Sequence, residues 1–227
     1  LIATKVRRMK VYAEIVQPED PLEVYEGASG VILSGSPSLS SLGEDGDCSA
    51  GLHDLEIPIL GFCFGHQELA KRNGGTVIHG GREWGKATLH LLREHPLFEG
   101  VPEASTVWMS HFDSVVAVGP EFEELGYSVS GEEGEEHRFA AIGSDSLRRY
   151  GFQYHPEVDD SVFGEQMIAN FVYKICGCQG TWTMERYVEQ QIEALSRRIG
   201  DGSVFLLASG GVDSTVTAKL IAEAIGA

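Results

Sequence analysis

The feature that most constrains the fold is an abrupt change of pattern at residues 59–69, Ile-Leu-Gly-Phe-Cys-Phe-Gly-His-Gln-Glu-Leu. A short apolar run of the kind that forms a buried strand ends there, and a helical pattern starts at once. Cys63 lies at the junction, between Gly61 and Gly65, so we predict a sharp strand-to-helix turn with a thiol at its apex. A cysteine held in this way is positioned to act as a nucleophile.

The chain around this turn alternates between strand and helix patterns. We predict a helix at 1–9, strands at 10–16, 30–35 and 58–62, a helix at 65–72, mainly short strands at 76–154, and an apolar-faced helix at 166–175. Strands separated by helices usually pair in parallel through right-handed crossovers. We therefore expect an α/β fold with a mixed, mostly parallel central sheet flanked by helices.

The composition argues against several classes of function. The chain has 227 residues, 42% of them apolar, and its formal net charge of −17 argues against binding nucleic acid through a basic surface. No apolar run reaches the roughly 18–20 residues of a membrane span, and no secretory signal opens the chain. Cys48, Cys63, Cys176 and Cys178 do not make a disulfide framework for a chain of this length, so we expect a reducing cytoplasm.

Two further residues can complete a catalytic site with Cys63. A Tyr-His-Pro-Glu sequence contains His155 and Glu157, and its proline favours an extended backbone in which both side chains project to one side. An imidazole oriented by a carboxylate activates a thiol and later protonates a leaving group. Backbone N–H groups at Gly35 and Phe64 are the natural donors to an oxyanion, which completes an acyl-transfer site.

The segments that contain these residues resemble the class I (triad) glutamine amidotransferases. The resemblance implies that Cys63 attacks the side-chain amide of glutamine, that His155 protonates the departing ammonia, and that water then releases glutamate from a thioester. It implies a flavodoxin-like sheet, with no cofactor and no metal for the hydrolysis itself.

The same resemblance covers the substrate pocket. It implies that Gln67 holds the glutamine substrate and that His111 and Asp113 lie near its amino-acid end. Phe112 departs from the family pattern, which usually has a small residue such as glycine at this position. Ser36 departs from the commoner second glycine of the loop that contains Gly35.

Residues 177–181, Gly-Cys-Gln-Gly-Thr, form the best candidate for a domain boundary. It divides the chain into a first domain at 1–178 and a second segment at 179–227. Beyond the boundary we predict a linker helix at 184–199 and a strand at 203–208 that begins a second α/β domain.

A glycine-rich loop follows the predicted strand and precedes a helix. The loop is Ser209, Gly210, Gly211, Val212, Asp213 and Ser214. Backbone N–H groups of such a turn and of a helix N-terminus bind phosphate, although the lysine of the Walker motif is missing. The hexapeptide resembles the pyrophosphate loop of the ATP pyrophosphatases, which implies ATP as ligand and places Asp213 near the pyrophosphate and its magnesium.

An amidotransferase followed by this loop resembles the glutamine-hydrolysing GMP synthetase family. That resemblance implies ATP-dependent amination of XMP to GMP with ammonia from glutamine, in a full protein that is a homodimer. Leu1 falls within one helical pattern and Ala227 within another, so we expect a piece of a longer polypeptide whose opening strand precedes Leu1.

Three other interpretations fit parts of the sequence. A glutaminase of the same class could serve a different synthase, but most such partners lack the 209–214 loop on the same chain. A regulatory module could bind glutamine without hydrolysis, but it would not need Cys63, His155 and Glu157 together. A cysteine hydrolase of γ-glutamyl peptides would leave the loop unexplained.

Overall fold

The computed structural model describes residues 1–17, 20–36, 42, 51–131 and 134–226, so that Cys48 lies outside the described residues. The chain divides into two compact units, Leu1–Gly180 and Thr181–Ala227. Within the described ranges, no helix combines the length and the apolar character needed to cross a membrane.

The first unit contains one sheet of seven strands among its described residues. The strands are β1 Val31–Leu33, β2 Ile59–Phe62, β3 Thr76–Leu91, β4 Ala104–Ala117, β5 Glu123–Ser130, β6 Glu135–Ser144 and β7 Arg149–Phe152. Their order across the sheet is β1-β2-β7-β6-β5-β3-β4.

Five α-helices accompany the strands in the described chain. They are α1 Ile2–Arg8, α2 Phe64–Arg72, α3 Gly164–Asn170, α4 Met184–Ile199 and α5 Val212–Ile225; a π-helical turn, Phe171–Ile175, extends α3, and 3₁₀ turns occur at Leu22–Tyr25, Leu52–Asp54 and Pro96–Phe98. The helices predicted at 1–9, 65–72, 166–175 and 184–199 are confirmed. In α4 the Thr183 hydroxyl caps the first turn by accepting the Arg186 N–H at 3.3 Å.

The mixed α/β fold is confirmed, but the expected majority of parallel pairing is wrong. Only the β1–β2 and β2–β7 pairs are parallel among the described pairs, and the other four are antiparallel. The reason lies in the connections, because β3 to β7 follow one another through short loops, whereas a parallel pair needs a long crossover.

Two predicted strands are also wrong. Residues 10–16 and 203–208 lie in no strand. A strand requires a partner for its backbone N–H and C=O groups, and none of the described residues supplies one to either segment. Residues 11–17 instead line a cavity of about 990 Å³ that also borders β1.

Three stacked aromatic rings in the core hold β2 and β7 together. Phe152 stacks between Phe62 and Tyr154, with ring centroids 6.1 and 4.9 Å apart respectively, and all three side chains are fully buried. Burying one such ring stabilises the fold by about 1.5–3 kcal/mol. Because β2 and β7 are parallel neighbours, the residues that follow each of them meet at one edge of the sheet.

Candidate active site

Cys63 forms the turn between β2 and α2. Its backbone has φ 50° and ψ −106°, a conformation that costs a non-glycine residue about 1–3 kcal/mol. Two glycines let the elements approach, since a Cβ on Gly61 would lie 2.3 Å from the Gly65 carbonyl carbon and one on Gly65 would lie 2.6 Å from the Leu33 carbonyl oxygen. The Cys63 N–H donates to the Phe152 carbonyl at 2.8 Å, so contacts on both sides hold the thiol at the apex.

His155 and Glu157 follow β7 and meet Cys63 at this edge. The His155 Nδ1 atom is 2.8 Å from Glu157 Oε1, which leaves Nε2 for the side-chain hydrogen bond with Cys63. The backbone N–H of His155 donates to the Trp108 carbonyl at 2.9 Å, so β4 holds the backbone that carries the imidazole ring. The structure therefore brings together the three residues that the sequence suggested for catalysis.

The electrostatics of the site favour a charged imidazole. Burial by itself lowers the pKa of His155, but hydrogen bonds with Cys63 and Glu157 and their negative charges outweigh it and raise the pKa to about 10. A ring with this pKa keeps its second proton at neutral pH. His155 can therefore stabilise a thiolate and then donate a proton to a departing group.

Both predicted oxyanion donors lie beside the thiol. A Cβ on Gly35 would lie 3.2 Å from His155 Cε1 and 3.3 Å from Cys63 Cβ, so a side chain at this position would crowd both catalytic residues. Phe64 is the first residue of α2, where the N–H has no partner within the helix. Gly35 and Phe64 thus both adjoin Cys63, as the sequence analysis expected for two oxyanion donors.

The predicted substrate-binding residues also lie together, behind the site. Gln67 Nε2 donates to the Asp113 carbonyl at 2.7 Å and to Gln153 Oε1 at 3.2 Å. The Asp113 carboxylate accepts from His79 at 2.8 Å, and His111 Nδ1 lies 3.0 Å from the Asp113 carbonyl. Gln67, His111 and Asp113 are each less than 10% exposed, so they form a buried, hydrogen-bonded wall that adjoins Ser110 on β4.

The sequence analysis missed Glu83, the buried partner of His111. His111 Nε2 is 3.1 Å from Glu83 Oε2, and the Ser128 hydroxyl donates to the same carboxylate at 2.9 Å. Both ring nitrogens of His111 thus face oxygen atoms, one of a carboxylate and one of a backbone carbonyl. Burial and the nearby His111 charge lower the pKa of His66 to about 3, so this second ring is neutral.

The alternation of apolar residues along β3 is the sequence pattern from which the buried position of Glu83 could have been predicted. Ala87 and Leu89 face the core, and counting back in steps of two places residue 83 on the same face. A carboxylate on a core face needs a buried partner.

The outer edge of β4 completes the site. The Ser110 carbonyl accepts from Cys63 Sγ at 3.6 Å, and the Thr106 carbonyl accepts from the Val162 N–H at 3.1 Å. The carbonyls of Thr106, Trp108 and Ser110 therefore point away from β3, and the last two meet the catalytic residues His155 and Cys63. Sequence patterns cannot identify an edge strand of this kind, because its partners come from distant parts of the chain.

In the second unit, the predicted nucleotide loop lies at the start of α5. Gly210 has φ +81°, and Gly211 is the N-cap of the helix, whose first turn contains Asp213. The Ser214 hydroxyl donates to the Gly211 carbonyl at 3.0 Å and lies 3.3 Å from the Ser209 hydroxyl. The loop is mainly exposed, so the free N–H groups of the first helical turn and the serine hydroxyls are accessible to an anion.

Comparison of sequences agrees with this chemistry. The family Glutamine amidotransferase class-I matches residues 1–175. A GMP synthase (glutamine-hydrolyzing) of Symbiobacterium thermophilum is 41% identical over 230 residues, which cover 100% of this chain and 44% of that protein. A protein of the same name from Aquifex aeolicus is 40% identical with the same coverage. The chain thus spans less than half the length of these relatives.

Comparison of structures supports the same assignment. A putative GMP synthase subunit from Thermoplasma acidophilum superposes with a TM-score of 0.67 and 25% identity, covering 83% of this chain and 89% of that one. A glutamine amidotransferase from Thermotoga maritima has a TM-score of 0.53 and 18% identity, covering 97% and 87%, which shows the shared fold alone. The family predicted from the sequence is confirmed: the chain belongs to the class-I glutamine amidotransferases, a family of enzymes.

Proposed function

We propose that the first unit hydrolyses glutamine to glutamate and ammonia through Cys63, His155 and Glu157. The observation that carries the proposal is the relay in which Glu157 binds one nitrogen of His155 and Cys63 interacts with the ring from the other side. A thiolate beside an imidazolium is the arrangement that a cysteine nucleophile requires.

The reaction follows from this arrangement. Cys63 Sγ attacks the side-chain carbonyl carbon of glutamine, and the oxygen takes the negative charge toward the N–H groups of Gly35 and Phe64. His155 donates its proton to the amide nitrogen, the C–N bond breaks, and ammonia leaves a thioester on Cys63. Water then loses a proton to His155 and attacks the thioester, which releases glutamate and the thiolate.

Gln67, His111 and Asp113 shape the glutamine pocket in this proposal. Their support is the hydrogen-bonded wall that they form next to the Ser110 carbonyl and hence next to Cys63. Phe112 is 53% exposed beside this wall, so its ring is available to narrow the entrance.

The loop at residues 209–214 of the second unit supports a proposal that the full protein binds ATP. Exposed donors at the loop fit the phosphates of ATP, with Ser209, Gly210, Gly211 and Ser214 on the anion and Asp213 on its magnesium. Bound ATP would supply an activating adenylyl group. The relatives named GMP synthase support a full protein that uses ATP, XMP and ammonia to form GMP, and its homodimeric state and cytoplasmic location are parts of the same proposal.

Replacing Cys63 with serine tests the nucleophile, with Cys176→Ser as a matched control because Cys176 is a second free cysteine outside the site. We expect Cys63→Ser to lower glutamate formation by about 10³-fold or more at an unchanged circular dichroism spectrum, and the control to retain activity. Continued glutamate release by Cys63→Ser identifies another nucleophile. Glutamine binding without turnover in the unmodified chain identifies a regulatory module instead.

A further inference from the structure

Ser161 joins the outer edge of β4 to the backbone of His155. Its hydroxyl donates to the His155 carbonyl at 2.6 Å and accepts from the Trp108 N–H at 3.0 Å. The His155 N–H in turn donates to the Trp108 carbonyl at 2.9 Å. Ser161 is 4% exposed, so water has little access to these hydrogen bonds.

These contacts form an antiparallel pair in which a hydroxyl lengthens one bond. In an antiparallel ladder, two hydrogen-bonded residues opposite each other exchange both of their N–H···O bonds. Between His155 and Trp108 one bond is direct, and the other runs through the Ser161 hydroxyl, which accepts and donates at once. The carbonyl side of His155 therefore lies further from β4 than its N–H side, and the hydroxyl sets that separation.

The same hydroxyl closes the base of the loop that contains Glu157. The loop leaves β4 after His155 and returns to it at Val162, whose N–H donates to the Thr106 carbonyl at 3.1 Å. Within the loop, the Glu157 carboxylate is 2.8 Å from the His155 ring. Both ends of the segment that carries this hydrogen bond are thus held on one strand.

The nucleophile lies against the same strand. Cys63 Sγ is 3.6 Å from the Ser110 carbonyl, and Ser110 is two residues along β4 from Trp108. The position of the imidazole relative to the thiol therefore depends on how His155 is held on β4. Catalysis is sensitive to such positions, since a displacement of about 1 Å can lower a rate by about 100-fold.

We propose that Ser161 is a positioning residue for His155, which holds the imidazole so that it meets Cys63 and Glu157 together. The proposal rests on the hydrolysis of glutamine at Cys63. It gives Ser161 no contact with the substrate, so loss of the hydroxyl should slow the chemical steps and leave glutamine binding unchanged.

Replacing Ser161 with alanine removes the link between Trp108 and the His155 carbonyl. We expect kcat for glutamine hydrolysis to fall about 10- to 100-fold, with KM changed less than about twofold. Ser105→Ala is the matched control, because Ser105 also lies on β4 and is 6% exposed, but its hydroxyl has no hydrogen-bond partner among the described residues. The control should keep kcat and KM within about twofold of the parent values.

Two further substitutions at Ser161 test the hydroxyl itself. Ser161→Thr keeps the hydroxyl and should recover most of the lost kcat. Ser161→Cys fills the same space with a weaker donor, so its kcat should lie about 3- to 10-fold below that of the parent. It replaces Ser161→Ala in the comparison if the alanine variant does not fold.

Several results would overturn the proposal. One is a Ser161→Ala or Ser161→Cys protein with the kcat of the parent, and another is a KM that rises as much as kcat falls. A third is a Ser161→Thr protein that has the urea unfolding midpoint of the parent but is as slow as Ser161→Ala.

Alkylation of Cys63 by iodoacetamide at pH 7, measured by peptide mass spectrometry, gives a readout that needs no turnover. The thiolate is the reacting form and a well-placed imidazolium stabilises it, so Ser161→Ala should be alkylated about 3- to 10-fold more slowly than Ser105→Ala. Equal rates contradict the positioning role. A rate difference in a protein that does not hydrolyse glutamine supports the positioning role and counts only against the proposed hydrolysis.

Discussion

Replacing His111 with leucine removes one partner of a hydrogen-bonded pair that is almost completely buried. The His111 and Glu83 side chains are each 1% exposed, and their nitrogen and oxygen atoms are 3.1 Å apart. Without the imidazole, Glu83 keeps the Ser128 hydroxyl as a neutral donor. It then either stays a buried anion or takes up a proton.

Both outcomes have a similar free-energy cost. Protonating a carboxylate at pH 7 costs about 4 kcal/mol, and breaking a buried pair typically costs about 3–5 kcal/mol. We therefore expect His111→Leu to lower the free energy of unfolding by about 4 kcal/mol at pH 7. Glu83→Gln should cost less, about 2 kcal/mol, because the glutamine amide carries no charge and can still hydrogen-bond the ring.

The pH dependence separates a charge effect from a packing effect. At pH 5 the protonation of a carboxylate costs only about 1 kcal/mol, so the loss in His111→Leu should shrink by about 2–3 kcal/mol. The sign follows from proton binding: the folded variant holds a proton that the unfolded chain lacks, so its stability relative to the parent rises as the pH falls.

Urea unfolding followed by circular dichroism at pH 7 and pH 5 measures these differences. His90→Leu is a suitable control, since His90 lies on β3 and stacks on Tyr127 with centroids 5.0 Å apart. The control should lose about 1 kcal/mol at most, equally at both pH values. An equal loss for His111→Leu at pH 7 and pH 5, or a Glu83→Gln protein as unstable as His111→Leu, would show that the loss does not come from the unpartnered Glu83 carboxylate.

Three other changes test the site and its supports. Gly61→Ala places a Cβ 2.3 Å from the backbone of α2, so we expect the free energy of unfolding to fall by about 1–3 kcal/mol and glutaminase activity to be reduced. Gly27→Ala meets no atom within 4 Å but has φ +78°, so it should lose about 1 kcal/mol through backbone strain alone and keep its activity. Because the pKa of His155 is raised from 6.5 to about 10, the stability gained from the charged ring should fall between about pH 6.5 and pH 10. Hydrolysis should decline as the pH rises through about 10, and a pH–rate profile of Glu157→Gln should show that decline at lower pH. Arg149 donates to three carbonyls of residues 53–57. Lysine lacks the planar guanidinium that makes these bonds together, so Arg149→Lys should lower the free energy of unfolding by about 1–3 kcal/mol.

Local pattern was enough to predict the turn at Cys63. A change from apolar run to helical pattern is written in consecutive residues, as are the two glycines that permit the close approach of β2 and α2. The Pro156 that extends the backbone between His155 and Glu157 is local information too, and in the structure Glu157 does bind the ring. Such features depend on neighbours in the chain, so the sequence contains them directly.

The pairing of strands from distant parts of the chain could not be predicted from local sequence patterns. The segment at 10–16 has the composition of a strand but forms none, because a strand also needs a neighbouring backbone. The antiparallel direction of β3 to β6 and the outer edge of β4 against which Cys63 lies are likewise decided by which distant segments meet.

By itself, the sequence of this protein determined the family, the helices and the nucleophilic turn. Only the tertiary structure gave His111 its buried partner Glu83 and placed the Ser161 hydroxyl between β4 and His155. The physical reason is that the charge state and the availability of a side chain depend on burial and on partners far away in the chain, and the order of residues alone records neither.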